Sequence, residues 1–150
     1  MHKILQHLGL SAALLLSSAA LVNAAEITVK MLNKGADGQA MVFEPAAVKA
    51  EVGDVIRFVP ADKGHDAVSI KGLIPEGVSD FKGKINQELV ITLEKEGAYV
   101  VKCTPHFAMG MVGLIVAGNA SADEATKLRE AKMPKKAKER VEAQLTSLGL

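Results

Sequence analysis

The amino-acid sequence predicts a mainly β protein, an antiparallel sandwich of seven or eight short strands followed by two α-helices. Three observations lead to this fold class. Residues 26–118 contain short runs that are rich in β-branched residues or alternate polar with apolar side chains. Gly and Pro separate these runs, and no helical pattern lies between them. Residues 119–150 instead contain mostly helix-forming residues.

Residues 1–25 have the character of a secretory signal peptide. A positive charge at Lys3 precedes a continuous small and apolar run over 8–21, and small residues follow it. The run is shorter than a membrane span, and no second hydrophobic stretch follows it. Cleavage after Ala24 or after Ala25 fits equally well, so we expect 1–25 to be removed and the protein to be exported.

Turn residues bound each predicted strand of the β region. The first strand alternates polar and apolar residues and runs into a turn at 33–38, where Asn and Gly can adopt positive φ. Pro60 ends another strand, and the loop after it carries His65. Residues 71–87 contain three glycines and a proline, and this composition predicts a long surface connection. The predicted strands are 27–32, 41–45, 48–52, 55–59, 66–70, 89–93, 98–103 and 112–116.

The C-terminal extension, 119–150, is predicted to form two helices that pack on the same domain. Ser121 and Glu124 have the spacing of a capping box, and Pro134 suits the first turn of a second helix. One face of that second helix is apolar, and its members are Ala137, Val141, Leu145 and Leu148. We interpret the basic residues beside them as a solvated face, namely Lys135, Lys136, Lys138 and Arg140.

The charge balance argues against nucleic acid as a partner. The chain has 18 basic and 17 acidic residues, and removing the leader with Lys3 leaves 17 of each. A neutral domain leaves only a local patch for electrostatic recognition, and with no Trp and few aromatic residues it offers no stacking platform for bases. We expect a monomer that does not insert into a membrane.

The segment 103–111 carries the residues with the most distinctive chemistry. It contains Cys103, which is the one cysteine, together with His106, Met109 and Met111. A free thiol in an oxidising compartment must be buried, cross-linked or bound to a metal. Thiolate, imidazole and thioether are soft ligands that select copper, and His65 is the other histidine left after export. The sequence therefore predicts a blue-copper site with one copper ion.

The spacing Cys-x2-His-x4-Met after a strand makes Met111 the expected axial ligand, and Met109 an exposed or packing neighbour. Cys103 ends a strand, and Pro105 stiffens the step to His106, so these donors are held with few free torsions. Two other functions are open to these residues. One is an enzyme with Cys103 as nucleophile and a histidine as base. The other is a copper storage or delivery protein.

Several segments resemble the pseudoazurins, periplasmic blue-copper proteins of the cupredoxin family. The matching segments are Met31–Gly35, Met41–Pro45, Asp62–His65, Ile74–Gly77 and Val101–Met111. The resemblance covers essentially all of 26–150, and it implies a Greek-key sandwich of eight strands with copper bound in 26–118. It implies the ligands His65, Cys103, His106 and Met111 and a carrier of single electrons that is not an enzyme. Implied partners are copper nitrite reductase or c-type cytochromes in denitrification.

Four residues beside the ligands are expected to tune them. Asp66 follows the first ligand histidine, where the family usually has Asn. Its backbone N–H can still serve the thiolate, whereas an ionised side chain can only accept hydrogen bonds. This difference bears on the reduction potential. Met41 matches a residue near the C-terminal histidine in the family, and Thr104 and Pro105 lie between the two ligands of the loop.

In the family, electrons leave through the exposed edge of the C-terminal histidine inside an apolar patch. The residues expected to form this patch are Met41, Pro60, Pro105, Ala108 and Met109. The lysines that match the basic ring around the patch in the family are Lys34, Lys63, Lys82 and Lys102. They predict a docking surface for an acidic redox partner, with an effect mainly on the association rate.

Overall fold

A computed structural model describes residues 23–150, so residues 1–22 of the predicted leader lie outside the described part of the chain. Within residues 23–150, eight strands, one 3-10 helix and two α-helices follow one another. Their bounds are β1 Glu26–Lys34, β2 Ala40–Glu44, β3 Ala47–Ala50, β4 Val55–Pro60, β5 Val68–Ser69, β6 Leu89–Thr92, β7 Gly97–Lys102, the 3-10 helix Thr104–Met109, β8 Val112–Ala117, α1 Ala122–Glu130 and α2 Lys135–Ser147.

The strands form two four-stranded sheets, in the orders β2-β1-β4-β6 and β3-β8-β7-β5. The predicted mainly β sandwich with two C-terminal helices is therefore confirmed. The prediction that it is antiparallel is wrong for two pairs, because β1 runs parallel to β4 and β3 runs parallel to β8. Both pairs join strands that are distant along the chain, and parallel pairing needs such long connections.

The hydrophobic core has two parts, one on each side of the second sheet. Between the sheets, Phe43 and Phe58 pack edge to face with Met31, Ile56 and Tyr99 around them. Every residue of β8 is buried, since the helices cover the outer face of this sheet. A strand buried on both faces is a nearly continuous apolar run, as the sequence 112–117 is.

The two helices form the cover of that outer face. The predicted capping box is present: Oγ of Ser121 accepts from the backbone N–H of Glu124, and the Glu124 carboxylate accepts from the backbone N–H of Ser121. In α2, Val141 and Leu145 face the core, and the helix contacts both β8 and the 3-10 helix. The tail therefore lies against the segment that precedes Met111.

The predicted strand 66–70 is shorter than expected, because only Val68 and Ser69 pair with β7. Beyond them the chain enters the long connection 71–87, which returns to the sheet through an isolated bridge between Val68 and Lys82. Among the described residues, no helix has the length and apolar character needed to cross a bilayer.

Candidate metal centre

The structure brings His65, Cys103 and His106 into one cluster. Sγ of Cys103 lies 3.6 Å from Nδ1 of His65 and 3.5 Å from Nδ1 of His106. The two imidazole rings have centroids 4.9 Å apart and are inclined by 60°. Three potential metal donors, one from each residue, lie within 4.8 Å of one another.

This spacing suits a single metal ion. Bonds of about 2.0 Å to nitrogen and 2.3 Å to sulfur, at about 110–120° to each other, require N–S separations of about 3.5–3.7 Å. Both observed separations agree with this range. Two imidazoles and a thiolate in one plane are the in-plane donors of a blue-copper site.

The end of β7 and the 3-10 helix that follows it position Cys103 and His106. Cys103 follows the last residue of β7, and the chain then turns into the 3-10 helix with Pro105 in its first turn. The backbone N–H of His106 donates to the carbonyl oxygen of Cys103. Cys103 is fully buried, whereas His106 is only half-buried.

Met111 is tied to both of these residues through the backbone. Its N–H donates to the carbonyl oxygen of His106 at 3.1 Å, and its carbonyl oxygen accepts from the N–H of Cys103 at 3.0 Å. Gly110 makes the turn between them with a φ of 89°. The Met111 side chain is fully buried in the same core cluster as Cys103, whereas Met109 is 44% exposed.

Two asparagines that the sequence analysis did not assign to the site hold His65. Oδ1 of Asn33 lies 3.0 Å from Nε2 of His65. With the proton on Nε2, the lone pair of Nδ1 faces Cys103, which is the tautomer that metal binding needs. The side-chain Oδ1 of Asn86 accepts a hydrogen bond from the backbone N–H of Gly64. The backbone N–H of Asn86 donates to the carbonyl oxygen of His65. Asn33 was interpreted only as a turn residue, and neither asparagine lies near His65 in the sequence.

Asp66 connects the two loops that carry the donors. Its Oδ1 accepts a hydrogen bond of 2.6 Å from the backbone N–H of Thr104. The carboxylate therefore acts as an acceptor, as the sequence analysis anticipated. Asp66 is almost fully buried, and the side chain of Thr104 is exposed.

Burial shifts the acid–base properties of two donors in the metal-free protein. Desolvation, followed by the nearby His106, lowers the pKa of His65, which favours the neutral imidazole that a metal needs. Desolvation raises the pKa of the Cys103 thiol, although the backbone N–H of Asp66 counteracts it. A buried thiol with a raised pKa is a poor nucleophile. This property argues against an enzyme that uses Cys103 as its nucleophile.

The apolar residues predicted to surround His106 differ in exposure. Pro105 and Ala108 are exposed together with Met109, while Met41 and Pro60 are half-buried. Three of the four predicted docking lysines are exposed, namely Lys34, Lys63 and Lys82. The fourth, Lys102, is half-buried and places Nζ 5.3 Å from the ring centroid of Phe107.

Comparisons with known proteins agree with this geometry. Residues 29–118 match the family of copper binding proteins described as the plastocyanin/azurin family. The chain is 54% identical over 141 residues to a pseudoazurin from Paracoccus pantotrophus, covering 94% of this chain and 96% of the relative. A putative pseudoazurin from Rhizobium leguminosarum is 47% identical over 136 residues, covering 91% and 88%.

Solved structures of pseudoazurins are also similar to this chain. The native pseudoazurin of Hyphomicrobium denitrificans superposes with a TM-score of 0.77 at 43% identity, covering 82% of this chain and 98% of that one. A pseudoazurin from Sinorhizobium gives a TM-score of 0.79 at 44% identity, covering 83% and 96%. The chain therefore belongs to the plastocyanin/azurin family of copper-binding proteins, among the pseudoazurins, which are blue-copper electron carriers with one copper ion and are not enzymes.

Proposed function

We propose that this protein carries single electrons in the periplasm, with one copper ion held by His65, Cys103, His106 and Met111. The observation that carries the proposal is the approach of two Nδ1 atoms to within 3.6 Å of one buried Sγ. When bound, copper supplies the Cu(I)/Cu(II) couple. The protein would supply the imidazole, thiolate and thioether donors of these four residues.

A fixed donor set is suited to electron transfer, because both oxidation states must fit the same site. The backbone hydrogen bonds among Cys103, His106 and Met111 hold three of the four proposed ligands in one tight turn. His65 comes from a separate loop that Asn33 and Asn86 secure. The thioether of Met111 would be the fourth donor to copper, since its side chain is buried in the same cluster as Cys103.

The proposed exit route for electrons is His106. It is only half-buried, and the exposed Met109, Pro105 and Ala108 lie in the same loop. Lys34, Lys63, Lys82 and Lys102 would surround this patch and attract an acidic partner, while the apolar centre would give close contact. By the family resemblance, the partners are copper nitrite reductase or c-type cytochromes in denitrification.

We propose that residues 1–25 include a leader that directs export. The contacts of Ala25 favour cleavage after Ala24. Its N–H donates to Oδ1 of Asp54 at 2.8 Å, and its carbonyl oxygen accepts from the N–H of Val55 at 2.8 Å. After such a cut, the new α-ammonium group of Ala25 would lie against the Asp54 carboxylate, whereas a cut after Ala25 would remove both contacts.

Addition of Cu(II) to the metal-free protein tests the copper site. We expect an intense visible thiolate-to-copper band that disappears on reduction, returns on oxidation and saturates at one copper per chain. Cys103→Ser should abolish the band, and Met111→Leu should keep the band but alter its position and intensity. Met109→Leu is the matched control, because the proposal gives this exposed thioether no bond to copper. A colourless copper complex of the wild-type protein would contradict the proposal.

A further inference from the structure

We propose that Arg140, in the C-terminal helix α2, is a positioning residue for the metal centre. Its guanidinium group joins the turn before Met111 to the start of β2, and it thereby fixes the segment that presents the Met111 thioether. The inference rests on the proposed function for the role of Met111, but the contacts that carry it do not depend on a bound metal.

The guanidinium group binds three backbone carbonyl groups from two segments that are distant in the sequence. Nη1 donates to the carbonyl oxygens of Met41 at 2.7 Å and Gly110 at 2.8 Å. Nη2 donates to the carbonyl oxygen of Ala40 at 2.8 Å. A planar guanidinium group presents several N–H groups in a rigid arrangement, so one arginine can hold both segments at a fixed separation.

The segment that Arg140 holds at Gly110 has little freedom to adjust. Gly110 has a positive φ, and a Cβ added there would lie 3.2 Å from Cδ of Arg140 and 2.8 Å from Cγ of Lys136. The helix therefore touches the backbone of the turn directly. Because Gly110 precedes Met111, a displacement of this contact would move the next residue of the chain.

The other segment begins β2 and includes Met41, which has a φ of 53°. Left-handed conformations are uncommon for residues other than glycine and need support from their surroundings. The hydrogen bond from Arg140 to the Met41 carbonyl group is one such support, and the half-buried Met41 side chain packs against the core cluster that contains Cys103 and Met111. The Arg140 side chain thus restrains both the start of β2 at Met41 and the turn at Gly110.

This arrangement corrects the expectation that Arg140 belongs to a solvated helix face. Its neighbours Lys135, Lys136 and Lys138 are exposed, but Arg140 is half-buried. Its guanidinium group reaches the ligand loop at Gly110. Helix α2 accordingly has a role in the metal centre beyond covering the sheet.

The test compares Arg140→Ala and Arg140→Lys with Arg129→Ala. Arg129 is a matched control, because it also makes several hydrogen bonds in the tail, to Glu142 and to the carbonyl oxygen of Leu150, but it does not reach the ligand loop. Amide hydrogen exchange is measured residue by residue in the metal-free and Cu(I) proteins. The visible spectrum and the reduction potential are then measured after copper loading.

Arg140→Ala should speed exchange at Met111 and Val42 about tenfold, the effect of losing hydrogen bonds of ordinary strength. Exchange at Val29 in β1 and Phe58 in β4 should remain as in the wild type, because Arg140 makes no hydrogen bond to either strand. The copper-loaded variant should show altered visible band intensities and a shifted potential. Arg140→Lys, which keeps a charge but loses the planar group, should give effects of the same direction and smaller size.

Wild-type exchange and an unchanged spectrum in Arg140→Ala would overturn the proposal, and so would equal effects of Arg129→Ala. If Arg140→Ala does not fold, unchanged exchange and spectrum in Arg140→Lys would overturn it. A wild-type protein without a blue-copper spectrum would instead count against the proposed function, while exchange in the metal-free variants would still decide whether Arg140 restrains the loop.

Discussion

The carboxylate of Asp66 and the backbone N–H of Thr104 are joined by a hydrogen bond of 2.6 Å. This bond connects the loop of His65 to the loop of Cys103 and His106. Asp66 is almost fully buried, so its side chain is shielded from water close to the proposed copper position. An anionic acceptor there affects both the geometry and the electrostatics of the site.

Replacement of Asp66 by Asn should raise the reduction potential. The amide oxygen can still accept from Thr104, but the variant removes a negative charge that favours Cu(II) over Cu(I). We expect a rise of roughly 50 mV, close to a tenfold change in a one-electron equilibrium. Voltammetry of the copper-loaded wild type and Asp66→Asn variant measures this difference in reduction potential. Asp54→Asn, a change at a buried acid in another loop, should leave the potential almost unaltered, and an equal or lower potential for Asp66→Asn would contradict the prediction.

Replacement of Asn33 by Ala should weaken metal binding. The substitution removes the partner of Nε2 in His65, so the imidazole loses its fixed tautomer and orientation. Loss of such a contact typically lowers metal affinity about 10- to 100-fold. Competition with a coloured chelator gives the affinity for Zn²⁺ and Cu²⁺. Asn119→Ala, at an exposed position, is the control, and equal affinities in the two variants would disprove a role for Asn33.

Replacement of Gly110 by Ala should destabilise the protein by about 2–3 kcal/mol, since it adds a close contact to the backbone strain at positive φ. Gly53→Ala separates these two effects. Gly53 also has a positive φ, of 96°, but an added Cβ would meet nothing within 4 Å. We expect about 1 kcal/mol for this variant. Urea unfolding measures both, and equal losses would show that the contact with α2 has no energetic weight.

Asp54 should make the stability of the protein depend on acid pH. Hydrogen bonds from the backbone N–H groups of Glu51 and Ala25 lower the pKa of Asp54 below its ordinary 3.8. The folded state therefore prefers the ionised form. Its stabilisation is complete well above pH 3.8 and disappears as the pH falls through the lowered pKa.

Urea unfolding at several pH values, compared between the wild type and Asp54→Asn, tests this dependence. The wild type should be more stable near neutral pH, and the difference should shrink as the pH falls below 3.8. A difference that is constant with pH would show that the ionised carboxylate is not what stabilises this turn.

The double substitution of Lys34 and Lys63 by Ala should slow electron transfer to copper nitrite reductase several-fold at low salt, because attraction between opposite charges accelerates encounter. The rate should also depend less on ionic strength. Stopped-flow kinetics at several salt concentrations measure both effects. Lys71 and Lys127 are also exposed and provide a control pair of equal charge. A low-salt rate like that of the wild type would argue against docking at this surface.

The sequence was sufficient to predict those parts of the protein that depend on local pattern. Alternation and β-branched runs indicated seven or eight strands, and the capping box located the start of α1. Cys103, His106 and Met111 could be proposed together because they lie in one loop, where spacing along the chain limits their distance in space. His65 followed from the chemistry of the donor set and from its being the other histidine after the leader.

The contacts between distant segments were decided only by the tertiary structure. Strand directions in the sheets were partly wrong in the prediction, because a residue pattern marks a strand without giving its partner. Asn33 and Asn86 approach His65 only after β1, β4 and the long connection 71–87 are assembled. Arg140 lies 30 residues from Gly110 and 99 from Met41, and its place in a basic run gave no sign of the carbonyl groups it binds. Local sequence thus determined which residues are proposed to bind copper. Folding determined what holds them in place, since those hydrogen bonds join groups that only the packed sheets and helices bring together.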